Sequence, residues 1–162
     1  NTDVEVSYQW LERLMIPIIC QESVATTTPF TTSGTICSFP NFGEDNPIFE
    51  DFDLWQIDEV FGKIKPQYPT IPSGVGFCMG MNKNVIQEIG ILDAETFSKG
   101  CGEENDWCRR AVEAGYKNVH VDNLFVYHKH CGSFLSEEKE RLIQINSKAL
   151  LKKHHNYNHE VA

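Results

Sequence analysis

The chain has no long apolar run, no excess of positive charge and no glycine-rich phosphate loop, and each absence removes a class of function. The longest greasy stretch, Leu14-Met15-Ile16-Pro17-Ile18-Ile19-Cys20, is too short for the roughly 20 residues that span a bilayer, and it carries a proline. With 14 Lys and Arg against 23 Asp and Glu, the formal net charge of -9 disfavours a broad nucleic-acid or anionic-membrane surface. No Gly-rich loop follows a first strand, so the N-terminal half of a nucleotide-binding unit is not in this sequence. There is no internal repeat and no low-complexity block. No C-x2-C spacing frames a zinc site. The six cysteines are an even number, but a core of this size does not need disulfide staples, and reduced thiols in a cytoplasmic protein are expected. No signal peptide is visible, and the opening at Asn1 reads as a fragment or a processed product, with any upstream targeting signal outside it.

What is present is an ordinary globular composition, 41% hydrophobic and 11% aromatic, which predicts a single domain over residues 1–162. Ser7 is placed to cap a helix through Trp10, Leu11, Leu14 and Met15, with Pro17 making its end irregular. The β-branched stretch Val24 to Ile36 suits a strand and then a loop at Ser33-Gly34, and Phe39 to Asp53 reads as a long surface loop. Helical spacing recurs at Leu54, Ile57, Val60, Phe61 and Ile64. A turn at Pro72-Ser73-Gly74 leads into an expected short strand, Val75 to Met79, and a helix from about Asn82 ends at Gly90. A further helix opens at Glu103 and stops at Gly115. Val119, Val121, Leu124 and Val126 suggest extended chain with a turn at Asp122-Asn123. A last helix capped by Ser136 runs into a polar tail whose His154, His155 and His159 read as solvated. Alternating strands and helices give the class α/β.

Three clusters carry chemistry. Asn1-Thr2-Asp3 offers a short carboxylate at a strand end, an oxygen donor suited to Mg²⁺ or Mn²⁺, although the same triplet is common turn chemistry. Gly102-Glu103-Glu104-Asn105-Asp106 crowds three acids at a helix start. The helix dipole alone favours them there, and their mutual repulsion can raise one pKa toward that of a general base. Tyr127-His128-Lys129-His130-Cys131-Gly132-Ser133 sets two histidines and a cysteine close together after a strand.

Taken in order, these clusters resemble the back half of GT-A-type family 2 glycosyltransferases of the kind that build bacterial surface polysaccharides. Asn1-Thr2-Asp3 with Glu5-Val6 and Trp10-Leu11 resembles the family's metal-binding DxD-type motif and the helix after it. Asn1 stands where the first acid is usual, which leaves Asp3 for the metal. Ser33-Gly34-Thr35-Ile36-Cys37-Ser38-Phe39-Pro40-Asn41 is similar to a stretch found in one branch of the family. Ser73-Gly74-Val75-Gly76-Phe77-Cys78-Met79 resembles the acceptor-side strand. Gly102 to Asp106, with Trp107-Cys108 and Arg110, resembles the ED-type catalytic motif, with Glu104 in the place of the base and Asp106 as its rival. Tyr127-His128 with Gly132-Ser133-Phe134 resembles the segment whose histidine meets the metal or the diphosphate.

The resemblance implies the C-terminal part of a GT-A fold, a mixed sheet flanked by helices and lacking the N-terminal nucleotide-binding strands. It implies inverting transfer of a sugar from a nucleotide-sugar donor to a hydroxyl of a glycan acceptor, assisted by Mn²⁺ or Mg²⁺. Glu104 (or Asp106, beside Glu103) is implied as base and Asp3 with His128 as metal ligands. Asn1, Gly74, Gly102, Arg110 and Ser133 are implied to meet substrate. The intact enzyme is then expected in the cytoplasm, at the inner face of the membrane through peripheral association. The chain alone is expected to be inactive, and an open sheet edge where the family's other strands belong favours self-association. A non-catalytic glycan-binding module, a metal-dependent hydrolase and a small zinc protein built on His128, His130 and Cys131 are the competing readings.

Overall fold

A computed structural model describes residues 1–97, 102–129 and 136–157. Its elements run β1 (Val4–Glu5), α1 (Trp10–Cys20), β2 (Val24–Thr31), α2 (Leu54–Gly62), β3 (Thr70–Ile71), β4 (Gly80–Met81), α3 (Lys83–Ile89), α4 (Glu103–Glu113), β5 (Lys117–His128) and α5 (Ser136–Lys153). The sheet is mixed. β2 and β5 are parallel at its centre, β4 is antiparallel on the far side of β2, and β1 and β3 pair antiparallel with opposite ends of β5. Thr31 bridges to Ser38 beyond β4, and the Phe125 amide, in the gap between β1 and β3, donates to Asp58 at 2.9 Å.

β5 is one strand with an irregularity where a turn at Asp122-Asn123 was expected. Pro29 faces Val121 and the next residue, Phe30, faces Phe125. This bulge restores the side-chain alternation, because Val121 and Leu124 would otherwise point to opposite faces. With it, Val121, Leu124 and Val126 pack on Leu14 of α1, while Phe125 packs on Leu54, Ile57 and Phe61 of α2. Trp107, Cys108 and Ala111 of α4 meet Val85 of α3 and Ala25 of β2 in a third cluster.

The start of α1 differs from expectation because a long-range partner competes with a local one. Ser7 does not cap α1: its hydroxyl donates to Asp58, and Gln9, at φ 57, is the N-cap without a side-chain bond. Asp58 also takes Arg13 Nη1 at 2.6 Å and Nη2 at 3.0 Å, and Arg13 reaches the Asn123 carbonyl, so one buried ion pair ties α1, α2 and the bulge together. α1 continues through the buried Pro17 to Cys20. By contrast α2 opens with a reciprocal Asp53–Gln56 capping box, and α3 closes on Gly90 at φ 88, the left-handed value glycine tolerates. The described cysteines, Cys20, Cys37, Cys78 and Cys108, are free thiols, while Cys101 and Cys131 lie outside the described residues.

His120 gives the fold a pH dependence. It is buried against the Phe30 ring, 4.1 Å between centroids, and burial lowers its pKa from 6.5 to about 4. The folded chain therefore disfavours a proton that the unfolded chain binds. Its contribution is complete above pH 6.5 and is lost as pH falls toward 4. Chemical denaturation is expected to show roughly 2 kcal/mol less stability at pH 5 than at pH 7.5 from this group. His120→Phe should flatten that slope, and an unchanged slope in the variant would assign the loss to other groups.

Candidate active site

The C-terminal ends of the two parallel central strands lie side by side, with Thr31 opposite Val126 and Thr32 Oγ1 donating to the His128 carbonyl at 3.1 Å, the usual position for ligand sites in open α/β sheets. β1 runs back along β5, with Val4 opposite His128 and the Lys129 amide donating to the Asp3 carbonyl at 3.0 Å. This pairing brings Asp3 to His128: Oδ2 and Nε2 are 3.4 Å apart, in side chains 24% and 13% exposed. The imidazole is oriented from two further directions. Its Nδ1 meets the Ser33 carbonyl at 3.3 Å, and its ring stacks on Phe77 at 5.2 Å and 18°. A carbonyl only accepts, so the Ser33 contact is made by the form with a proton on Nδ1, and in the Nδ1–H tautomer Nε2 is available to ligate a cation beside Asp3.

The donor set suits a small divalent cation. Two ligands at right angles on bonds of about 2.1 Å stand about 3 Å apart, close to the observed spacing. Among the described residues no group of three or more His, Cys, Asp and Glu forms around an ion position. Asp3 and His128 would supply two ligands to such an ion. The backbone nitrogen of Asn1, itself exposed, donates to the Phe77 carbonyl at 3.0 Å.

Beside this pair lies a cleft of about 330 Å³ whose lining includes Thr32, Asp45, Asn46, Tyr127 and His128. The buried Asn46 folds the loop that supplies Asp45. Its Nδ2 donates to the carbonyls of Thr32 (3.1 Å), Asn41 (2.9 Å) and Glu44 (3.1 Å), and its Oδ1 accepts the Asn41 amide at 3.0 Å. The Ser33 hydroxyl donates to Asp45. Sequence reasoning recognised only a surface loop here, because polar residues with buried, long-range partners carry no local signal.

The segment after Ser73 is an irregular turn rather than the expected strand over Val75 to Met79. The reason is that its amides bond to side chains: Gly74 to Cys108 Sγ at 3.2 Å and Val75 to Thr28 Oγ1 at 3.1 Å. A Cβ on Gly74 would lie 2.5 Å from Met79 Sδ and 3.1 Å from Thr26 Oγ1, so a side chain there would displace the flexible Met79 and press on Thr26. The turn spans from His128, at Phe77, to Glu104, whose carboxyl carbon lies 3.8 Å from a Cβ position on Gly76.

The three acids at the start of α4 meet three environments. Burial, reinforced by the charge of Glu104, raises the pKa of Glu103. Glu104 accepts the Gly102 amide at 3.1 Å and lines a second cleft of about 290 Å³ together with Thr35, Asn105 and Tyr157. Gly102, at φ 123, occupies a backbone conformation that other residues rarely adopt. Asp106 is fully buried and bonded to Arg110 (3.0 Å), Lys153 (2.7 Å) and His154 (2.9 Å). Burial opposes its ionisation, but hydrogen bonds from Lys153, His154 and Arg110 outweigh that and hold its pKa below the usual range. Arg110 also donates to the carbonyls of Ile89 (2.7 Å) and Ile91 (2.8 Å), so Asp106 and Arg110 join α4 to α3 and α5.

His154 is therefore not solvated, since the Asp106 and Glu113 carboxylates bury it, whereas His155 is exposed. Tyr157 was not singled out from the sequence at all. Burial pushes its hydroxyl up to about 12. An aromatic residue in an otherwise polar tail was the only available hint. Ser133, His130, Cys131 and His159 lie outside the described residues. No protein-family model and no curated protein matches the chain.

Proposed function

We propose that this chain is the acceptor-side part of a GT-A-type family 2 glycosyltransferase that moves a sugar from a nucleotide-sugar to a glycan hydroxyl with inversion. The observation that carries this reading is the Asp3–His128 pair, 3.4 Å apart at the C-terminal ends of the central strands. Glu104 lies on the other side of the Gly76-Phe77 turn. Two motifs far apart in sequence thus meet, with a third across the same turn, and that meeting is what supports this reading.

Asp3 and His128 would hold a Mn²⁺ or Mg²⁺ ion, which supplies positive charge against the diphosphate as it departs. Glu104 accepts the proton of the acceptor hydroxyl while that oxygen bonds to the anomeric carbon and the carbon–diphosphate bond breaks. Gly102 lines the acceptor cleft beside Glu104, and Gly74 lets the Ser73–Phe77 turn pack closely on Thr26 and Met79. Asp106 and Arg110 serve by holding α4 in place.

The full-length protein, assayed with a panel of nucleotide-sugars and glycan acceptors, is expected to transfer sugar only with Mn²⁺ or Mg²⁺ and to stop on chelation. Free sugar released at the same rate without acceptor would favour a hydrolase. Absence of donor binding would favour a glycan-binding role.

A further inference from the structure

A chain of hydrogen bonds reaches the cleft that holds Glu104 from the residues beyond α5. Asp106 binds Lys153 at 2.7 Å and His154 at 2.9 Å, and His154 Nδ1 also meets Glu113 at 3.2 Å, which ties the end of α5 to α4. This anchor brings Tyr157, just after His154, into the cleft wall. Burial keeps the Tyr157 hydroxyl protonated, so its hydrogen bond with Ser73 runs from the phenol to Ser73 Oγ. A serine hydroxyl has a single proton to give. Oγ of the buried Ser73 stands 2.8 Å from Asn105 Oδ1 and 3.0 Å from the Gly74 carbonyl, and the shorter contact takes that proton. The chain therefore runs from Tyr157 to Ser73 to Asn105.

Its effect is to sort the two ends of the Asn105 amide. The carbonyl oxygen is engaged by Ser73, while Nδ2, with two protons and no partner among the described residues, is left to the cleft that Asn105 lines. Beside it, Glu104 accepts the Gly102 amide on Oε2, which leaves Oε1. A hydrogen-bond donor and an acceptor thus stand next to each other at the start of α4.

We propose that Asn105 is an acceptor-binding residue, positioned by the Tyr157–Ser73 relay, and that it and Glu104 together grip a vicinal diol. One hydroxyl gives its proton to Glu104, and its neighbour on the next carbon accepts a hydrogen bond from Asn105 Nδ2. This assignment rests on the glycosyltransferase reading and names the feature of the acceptor that the site reads. The relay fixes the amide before the acceptor arrives, so binding need not order it.

Two measurements on the full-length protein separate the relay from its use. In heteronuclear NMR the Asn105 side-chain amide, assigned by its loss in Asn105→Ala, should shift in Ser73→Ala and in Tyr157→Phe, which removes only the hydroxyl. An amide unmoved by both variants overturns the relay, whether or not the protein transfers sugar. For its use, transfer to an acceptor glycoside is compared with transfer to its monodeoxy analogues. Removing the hydroxyl beside the nucleophilic one should lower kcat/KM by about 2- to 10-fold in the wild type, through the acceptor KM more than kcat. The same removal should cost nothing further in Asn105→Ala, and less in Tyr157→Phe than in the wild type. An equal penalty in the wild type and Asn105→Ala overturns the diol assignment and leaves the transferase reading standing. Transfer to no acceptor overturns the transferase reading and the diol assignment with it.

Discussion

Asp58→Ala is expected to destabilise the fold by about 3–5 kcal/mol, the cost typical of removing one partner from a buried ion pair. Four groups converge on this carboxylate: both terminal nitrogens of Arg13, the Ser7 hydroxyl and the Phe125 amide. The Asp58 and Arg13 side chains are only 6% and 17% exposed, so the lost partner is largely withdrawn from bulk water. Truncation strands a guanidinium and a strand amide at the β5 bulge, where the register of Phe125 to His128 is set. Since a domain has roughly 5–15 kcal/mol in all, the variant should lie near its folding limit. Urea denaturation measures the effect. Replacing both partners, as in Asp58→Leu with Arg13→Met, should cost much less because no charge is left buried alone. A loss below about 1 kcal/mol for Asp58→Ala would mean that the pair behaves like an exposed surface contact.

The second large effect falls on activity. Glu104→Gln in the full-length protein should retain donor binding and lower turnover by about 10²–10⁴-fold, the range for removing a general base. The substitution keeps the side chain's size and an oxygen able to accept the Gly102 amide, so the fold should be undisturbed. Asp106→Asn is the informative companion. It weakens the contacts to Arg110, Lys153 and His154, so its defect should appear as lost stability, and acid should mimic it. Because the Asp106 pKa is depressed on folding, its contribution is complete above the ordinary carboxylate range, near 4, and is lost as pH falls through the lower folded value. Near-normal turnover of Glu104→Gln would remove this residue as the base.

Sequence pattern revealed the elements whose signals are local. The helices at Leu54, Lys83 and Glu103, the stop at Gly90 and the extended chain of β5 all follow from periodicity and glycine chemistry. It failed where a distant partner decides the outcome. Ser7 looks like a cap but bonds to Asp58, Val75 to Met79 looks like a strand but bonds to side chains, and His154 looks solvated but is clamped between two acids. The same division runs through the site. Asp3, Glu104 and His128 stand out through motif order, whereas Asp45 and Tyr157 reach their clefts only through the Asn46-bonded loop and the anchored end of α5.

The proposed sugar transfer depends most directly on Asp3 and His128 holding a cation against a diphosphate. Manganese electron paramagnetic resonance, titrating Mn²⁺ into the full-length protein with a nucleoside diphosphate, measures that claim without requiring turnover. The wild type is expected to bind one Mn²⁺ more tightly with the nucleotide than without it, and His128→Ala and Asp3→Asn should each weaken that site about tenfold or more. Equal Mn²⁺ affinity in wild type and both variants would contradict the account.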